Sequence, residues 1–185
     1  MKKYLEGLKI ALISMYKDFI GLFTITKIVY VEVEHYERHL KVKDSGGIII
    51  SGQELRTILI NKLKNKLDIN ICFQIIDKTY YLPSKKYVQD ILEIDQLNYR
   101  KYKSDTFDCD DFSFLSNSTF IELTYKDDVR RAPFSYGIVF GLITTPHAIN
   151  VFVDDKEDVY FIEPQSDVFM TIDDDKIKSI YTLIV

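Results

Sequence analysis

Four apolar runs rich in β-branched and aromatic residues crowd the last third of the chain: "SYGIVFGLIT" (135–144), "HAINVFVD" (147–154), "VYFIEP" (159–164) and "IYTLIV" (180–185). Each has the length of a strand, and acidic turns such as "DDKED" and "DDD" lie between them. Consecutive strands joined by short turns pair most simply as an antiparallel sheet. Whatever precedes this region must therefore cover a sheet.

Two helical patterns lie directly upstream. "SKKYVQDILEI" begins on Ser84 as an N-cap and turns Tyr87, Val88, Ile91 and Leu92 to one side. "KYKSDTFDCDDF" then leads into a short helix expected to start near Cys109. Further back, "SGQELRTILINKLKNKL" has Ser51 and Glu54 at capping-box spacing, with Leu55, Ile58, Leu59 or Ile60, and Leu63 along one face. Strand patterns flank that helix at "IIIS" and "INICFQIIDKTYYL", and another spans residues 22–34. The chain opens on an amphipathic helical pattern through Leu5, Leu8, Ala11 or Leu12, and Met15 or Tyr16. These elements predict an α+β protein. A soft boundary near residues 76–82 divides it into an N-terminal region of unassigned role, residues 1–76, and a second domain, residues 77–185.

Composition narrows the function. A 185-residue chain with 46% hydrophobic and 28% charged residues can bury a core, and a net charge of −4 offers no basic footprint for nucleic acid. No apolar run approaches the roughly 20 residues of a membrane span. Glu6, Lys9, Lys17 and Asp18 interrupt the opening segment, so it does not read as a signal peptide, and a cytoplasmic location is expected.

There are two cysteines, and they lie in different surroundings. Cys72, in "DINICFQII", is expected to be a small buried hydrophobe. Cys109 stands in "FDCDDFSF", among three carboxylates that oppose a thiolate. A place at the first turn of a helix works the other way, because free N–H groups there lower a thiol pKa. Later come His147, at the start of one strand, and Glu163, at the end of the next. A hairpin between those strands would set the carboxylate beside the imidazole, fixing its tautomer. The order Cys, His, carboxylate is that of a cysteine hydrolase, although each residue alone has an ordinary structural reading.

The blocks "FDCDDFSF", "HAINVFVDD" and "FIEPQSD" resemble those of the papain-like cysteine protease domain at the C-terminal end of the fairy-ring mushroom agglutinin, and of related bacterial and phage proteins. The resemblance covers roughly residues 77–170 and implies a papain-like fold, with a nucleophile helix packed on an antiparallel sheet. It implies Cys109 as nucleophile, His147 as base and Glu163 as the orienting carboxylate. Pro146 stands where sequences of this type often have Gly, and the lectin's sugar-binding trefoil has no counterpart, since the chain lacks Trp and any threefold repeat.

The resemblance also implies activation by calcium. Asp105, Asp110 and Asp111 are the candidate ligands, and a cation held by them would offset the repulsion at the thiol. The alternative is that Asp108 caps the helix while Asp110 and Asp111 favour its dipole. Gln165 is a candidate oxyanion donor or a plain turn residue. Asn150 is expected to support its strand, and His35 and His39 to lie on the surface.

The leading expectation is thus a cysteine peptidase or amide hydrolase acting on a peptide or protein substrate. Transglutaminase-type acyl transfer would use the same residues. The competing expectation is a papain-like binding or assembly module without turnover. Residues 1–76 are open to substrate recognition, homodimerisation or capping of the cleft.

Overall fold

The computed structural model describes residues 46–126, 132–171, 173 and 175–185, which lie within one compact unit, residues 42–185. The amphipathic pattern at the N-terminus, the strand pattern of residues 22–34, His35 and His39 fall outside the described residues.

Local signals set the helices. In β1 (Ile48–Ser51) the last residue caps α1 (Gly52–Leu63): Ser51 Oγ accepts from Glu54 N at 3.2 Å, and Glu54 Oε2 accepts from Ser51 N at 2.7 Å. This is the reciprocal capping box. After β2 (Leu67–Gln74) and β3 (Thr79–Leu82), Ser84 caps α2 (Lys85–Asp95), accepting from Tyr87 N at 3.2 Å. Gln96, in the left-handed conformation at φ 57°, ends α2 and starts a 3-10 turn, Leu97–Tyr99.

The helix at Cys109 is long rather than short: α3 runs Cys109–Lys126. Its middle, "SFLSNST", carries residues that compete with helical backbone bonds. Here the hydroxyls fold back onto the helix. Ser113 donates to Cys109 O at 2.9 Å, Ser118 to Phe114 O at 2.9 Å and Thr124 to Phe120 O at 3.0 Å.

The remaining strands are β4 (Tyr136–Ile143), β5 (Thr145–Val153), β6 (Val159–Glu163), β7 (Val168–Thr171) and β8 (Ile177–Ile184). Six strands form one sheet in the order β2-β8-β4-β5-β6-β7, and β1 pairs with β3 in a small second sheet. Leu55, Leu59 and Leu63 of α1 pack with Val139, Ile149, Val151, Phe161 and Leu183 in one core. The second core joins Tyr87, Val88, Ile91 and Leu92 of α2 and Phe120 of α3 to Tyr136, Phe152 and Ile162. Alternate residues of β5 and β6 therefore enter different cores, which is why β5 is buried without interruption from Ala148 to Val153.

Four expectations are corrected here. The sheet is mixed, because β2 runs parallel to β8. Strands predominate, eight against three helices among the described residues, rather than forming the helix-plus-antiparallel-sheet arrangement of a papain-like α+β fold. The boundary at 76/77 also runs through shared structure: β2 belongs to the sheet built by the C-terminal strands, and β1 pairs with β3. Cys72 is exposed on β2, at the edge of the sheet, and is not a core residue.

Candidate functional site

The turn between β5 and β6 is closed by Asp154, whose Oδ1 accepts from Lys156 N at 3.0 Å and Asp158 N at 2.8 Å. The register that follows, with Val153 opposite Val159 and Asn150 opposite Ile162, brings the far ends of the strands together. There His147 Nε2 and Glu163 Oε2 lie 2.6 Å apart, both side chains half-buried. Gln165 joins them through its main chain, its N–H donating to Glu163 Oε1 at 3.3 Å. Asn150 is buried and fastens α3 to the sheet, donating from Nδ2 to Ser113 O at 3.0 Å and to Gly137 O at 3.1 Å.

Cys109 opens α3 as a free, half-buried thiol. Among the described residues no hydrogen bond joins it to His147. Its neighbours are acidic: ligand atoms of Asp108, Cys109 and Asp110 all lie within 4.8 Å of one another. The hydrogen bond between the two carboxyls pushes the Asp108 pKa up, and desolvation and the charge of Asp110 add to that. Asp111 faces the backbone, with Oδ2 accepting from Asp108 N at 3.0 Å. Asp105 sits in a left-handed turn at φ 58°. Of the three expected metal ligands only Asp110 joins the cluster; Asp108 is its partner.

A cavity of about 280 Å³ opens at the C-terminal end of α2. Gln89 and Glu93 of α2, Asn98 and Tyr99 of the 3-10 turn, Asp167 between β6 and β7, and Phe169 of β7 line it. Tyr99 presents an exposed ring. Beneath it Asn98 Nδ2 donates to Asp167 Oδ2 at 2.6 Å, and Leu97 N donates to Asp95 Oδ1 at 2.9 Å. Three buried oxygens, Asp95 Oδ2, Asn98 Oδ1 and Asp167 Oδ1, have no donor. Burial pushes the Asp95 carboxyl up to about 6 against the pull of the Leu97 amide and Arg100. Burial, with Asp95 and Glu93 nearby, pushes Asp167 up to about 7. Sequence reasoning missed this cleft. Apart from Gln89, its polar residues come from "EIDQLNY" and "QSDVF", which match no spacing rule, and only the pairing of β6 with β7 brings them to α2.

A family model described as the ricin-type beta-trefoil lectin C-terminal domain matches residues 50–181. No curated protein matches the sequence. Among solved structures, the PSL1a–E64 complex is similar at 20% identity and a TM-score of 0.66, the match covering 74% of this chain and 51% of that one. The Polyporus squamosus lectin bound to the human-type influenza-binding epitope Neu5Acα2-6Galβ1-4GlcNAc is similar at 20% identity and a TM-score of 0.63, covering 74% and 49%. The chain thus spans about half the length of these structures, and at that identity the likeness is one of fold.

These matches correct several expectations. They are to a lectin domain family and to lectin structures, where a papain-like cysteine protease was expected. With that resemblance fall the papain-like fold class, the cysteine peptidase or hydrolase function, the acyl-transfer and papain-like module alternatives, and the peptide substrate. Among the described residues no helix is long and apolar enough to cross a membrane.

Proposed function

Because the chain belongs to the family of ricin-type beta-trefoil lectin C-terminal domains, we propose that it is a carbohydrate-binding domain and that its glycan site is the polar cleft at Tyr99. One observation carries this reading: an exposed aromatic ring stands over a pocket whose polar groups, Gln89, Glu93, Asn98 and Asp167, are rich in acceptor oxygens. A sugar ring offers an apolar C–H face to stack on the tyrosine and hydroxyl donors to meet the oxygens. Pockets that combine an apolar wall with a few placed polar groups are the usual form of a small-ligand site.

Charge sets the preference within glycans. Glu93, Asp95 and Asp167 gather at the cleft, so a neutral sugar is favoured over a carboxylated one. Titration calorimetry with Galβ1-4GlcNAc and with Neu5Acα2-6Galβ1-4GlcNAc tests this. Saturable heat is expected for the neutral disaccharide, weaker binding for the sialylated one, and a loss of about tenfold or more in Tyr99→Ala. A folded protein that gives no heat with either, or with a panel of neutral glycans, would overturn the reading.

The crowded carboxyls of Asp108 and Asp110 support a second proposal, a calcium ion at the start of α3. Two carboxylates supply part of a shell that needs six to eight oxygens, with backbone carbonyls and water as the rest, while the Cys109 sulfur is a poor ligand for so hard a cation. Calcium should raise the unfolding temperature of the wild type and not of Asp110→Asn. An equal response in both would exclude this site.

A further inference from the structure

We propose that the apolar cleft between α3 and strands β4 and β8 binds a small aromatic amine of one or two rings, its apolar body inside and its ammonium at Asp77. This cleft shares no lining residue with the polar one at Tyr99.

The cleft encloses about 230 Å³. Phe120, Phe134, Tyr136 and Ile138, all buried, make its floor. Its mouth is apolar too: Phe114, Ile121 and Ile76 line it and are 51%, 59% and 68% exposed. Two fastenings fix the distance between the walls. Asn150 Nδ2 donates to Ser113 O of α3 at 3.0 Å and to Gly137 O of β4 at 3.1 Å, and the Ser116 and Tyr136 hydroxyls meet at 2.7 Å. The helix cannot settle further onto β4 without breaking these buried bonds, so the cleft is preformed.

Its walls offer a ligand little to hydrogen-bond. Tyr80 donates its hydroxyl proton to Val185 O at 2.7 Å and accepts from Asp77 N at 2.8 Å, while Thr124 donates to Phe120 O at 3.0 Å. Water in such a space lacks the two to four polar partners that hold it, whereas an apolar cavity of roughly 150 Å³ takes benzene. The larger volume here is room for one ring or two fused rings.

Charge selects the head group. Among the described residues that line the cleft, Asp77 is the one charged side chain, and it is exposed. The whole chain carries a net charge of −4. A protonated amine is attracted to that mouth and a carboxylate is repelled. The ammonium keeps its water there while the ring is buried, so binding takes no charge into the interior.

Three indoles that share a ring system and differ in head group test this: tryptamine, 3-methylindole and indole-3-propionate. The chain has no Trp, so indole fluorescence, excited beyond tyrosine absorption, reports the ligand alone. The full chain should bind tryptamine with a Kd at or below about 1 mM, 3-methylindole more weakly and indole-3-propionate most weakly. Asp77→Asn, a change at an exposed side chain, should weaken tryptamine about two- to fivefold and leave 3-methylindole unchanged. Phe114→Ala, at the half-exposed rim, should weaken all three at least severalfold, and Tyr99→Ala should weaken none. No saturation by any indole, equal affinity for the three head groups, binding that Phe114→Ala leaves intact, or binding lost in Tyr99→Ala would each overturn the site. So would a dimer that takes up indole only after Phe114→Ala dissociates it, because a second copy would then be the occupant.

Discussion

Asn98 donates its side-chain amide to Asp167 across 2.6 Å and 69 residues of sequence, tying the 3-10 turn after α2 to the turn between β6 and β7. This bond spans the cleft's two walls. Without it the half-buried Asp167 carboxyl keeps its desolvation and loses its donor.

Asn98→Ala should therefore cost about 1–3 kcal/mol of stability, the usual penalty for orphaning a buried polar group. Urea denaturation at pH 5 measures it. Gln89→Ala, on the rim of the same cleft, should stay within about 0.5 kcal/mol.

Stability should fall as pH rises from about 4 to about 8. Asp95 and Asp167 have folded-state pKa values raised to about 6 and about 7, so between those values and the ordinary carboxylate range the folded protein binds more protons than the unfolded one. The contribution is complete below about pH 4 and lost through the raised values, with a slope of at most about 1.4 kcal/mol per pH unit for each extra proton held. Partial exposure of Asp167 reduces it. Subtracting the pH profile of Asp167→Asn isolates the pair from the other carboxylates, and a difference profile that is flat from pH 4 to pH 8 contradicts the assignment.

Gly137→Ala should be among the most damaging single-methyl changes in the sheet. A Cβ there would stand 2.1 Å from Ile184 O, in the β4–β8 pairing, and backbone has nowhere to retreat. A loss of about 1–3 kcal/mol is expected, read from the thermal midpoint.

Ser51→Ala removes the hydroxyl half of the capping box and should cost about 1 kcal/mol. Ser51→Asp should restore most of it. Unchanged midpoints in both variants would show that α1 is held by its leucines alone.

The His147–Glu163 pair joins the open ends of β5 and β6. Glu163→Gln should lower stability by about 1 kcal/mol, since it keeps the shape and removes the charge from a half-buried contact. The same variant should leave glycan binding at Tyr99 unchanged within error by calorimetry.

Caps and faces were legible because they are local. Ser51 with Glu54 and Ser84 before Tyr87 act within four residues, and the apolar spacing of Leu55, Leu59 and Leu63 needs no partner to be recognised. The β5–β6 hairpin was legible for the same reason, and with it the meeting of His147 and Glu163. The length of α3 was not. Its serines and threonines weaken a helix in isolation, and only the buried side of Phe112, Ser116 and Phe120 against the sheet holds it. Nor was the exposure of Cys72, since an apolar strand looks alike at the edge and the centre of a sheet.

By itself the amino-acid order determined where helices start, which residues turn and which alternate, since those depend on sterics and hydrogen bonds between near neighbours. Tertiary structure alone decided that β2 lies parallel to β8, that Asp111 accepts from the Asp108 amide, and that Asn98 and Asp167 meet in one cleft. Contacts between distant segments follow from closing loops against a common core, and a linear pattern carries no record of which loops close.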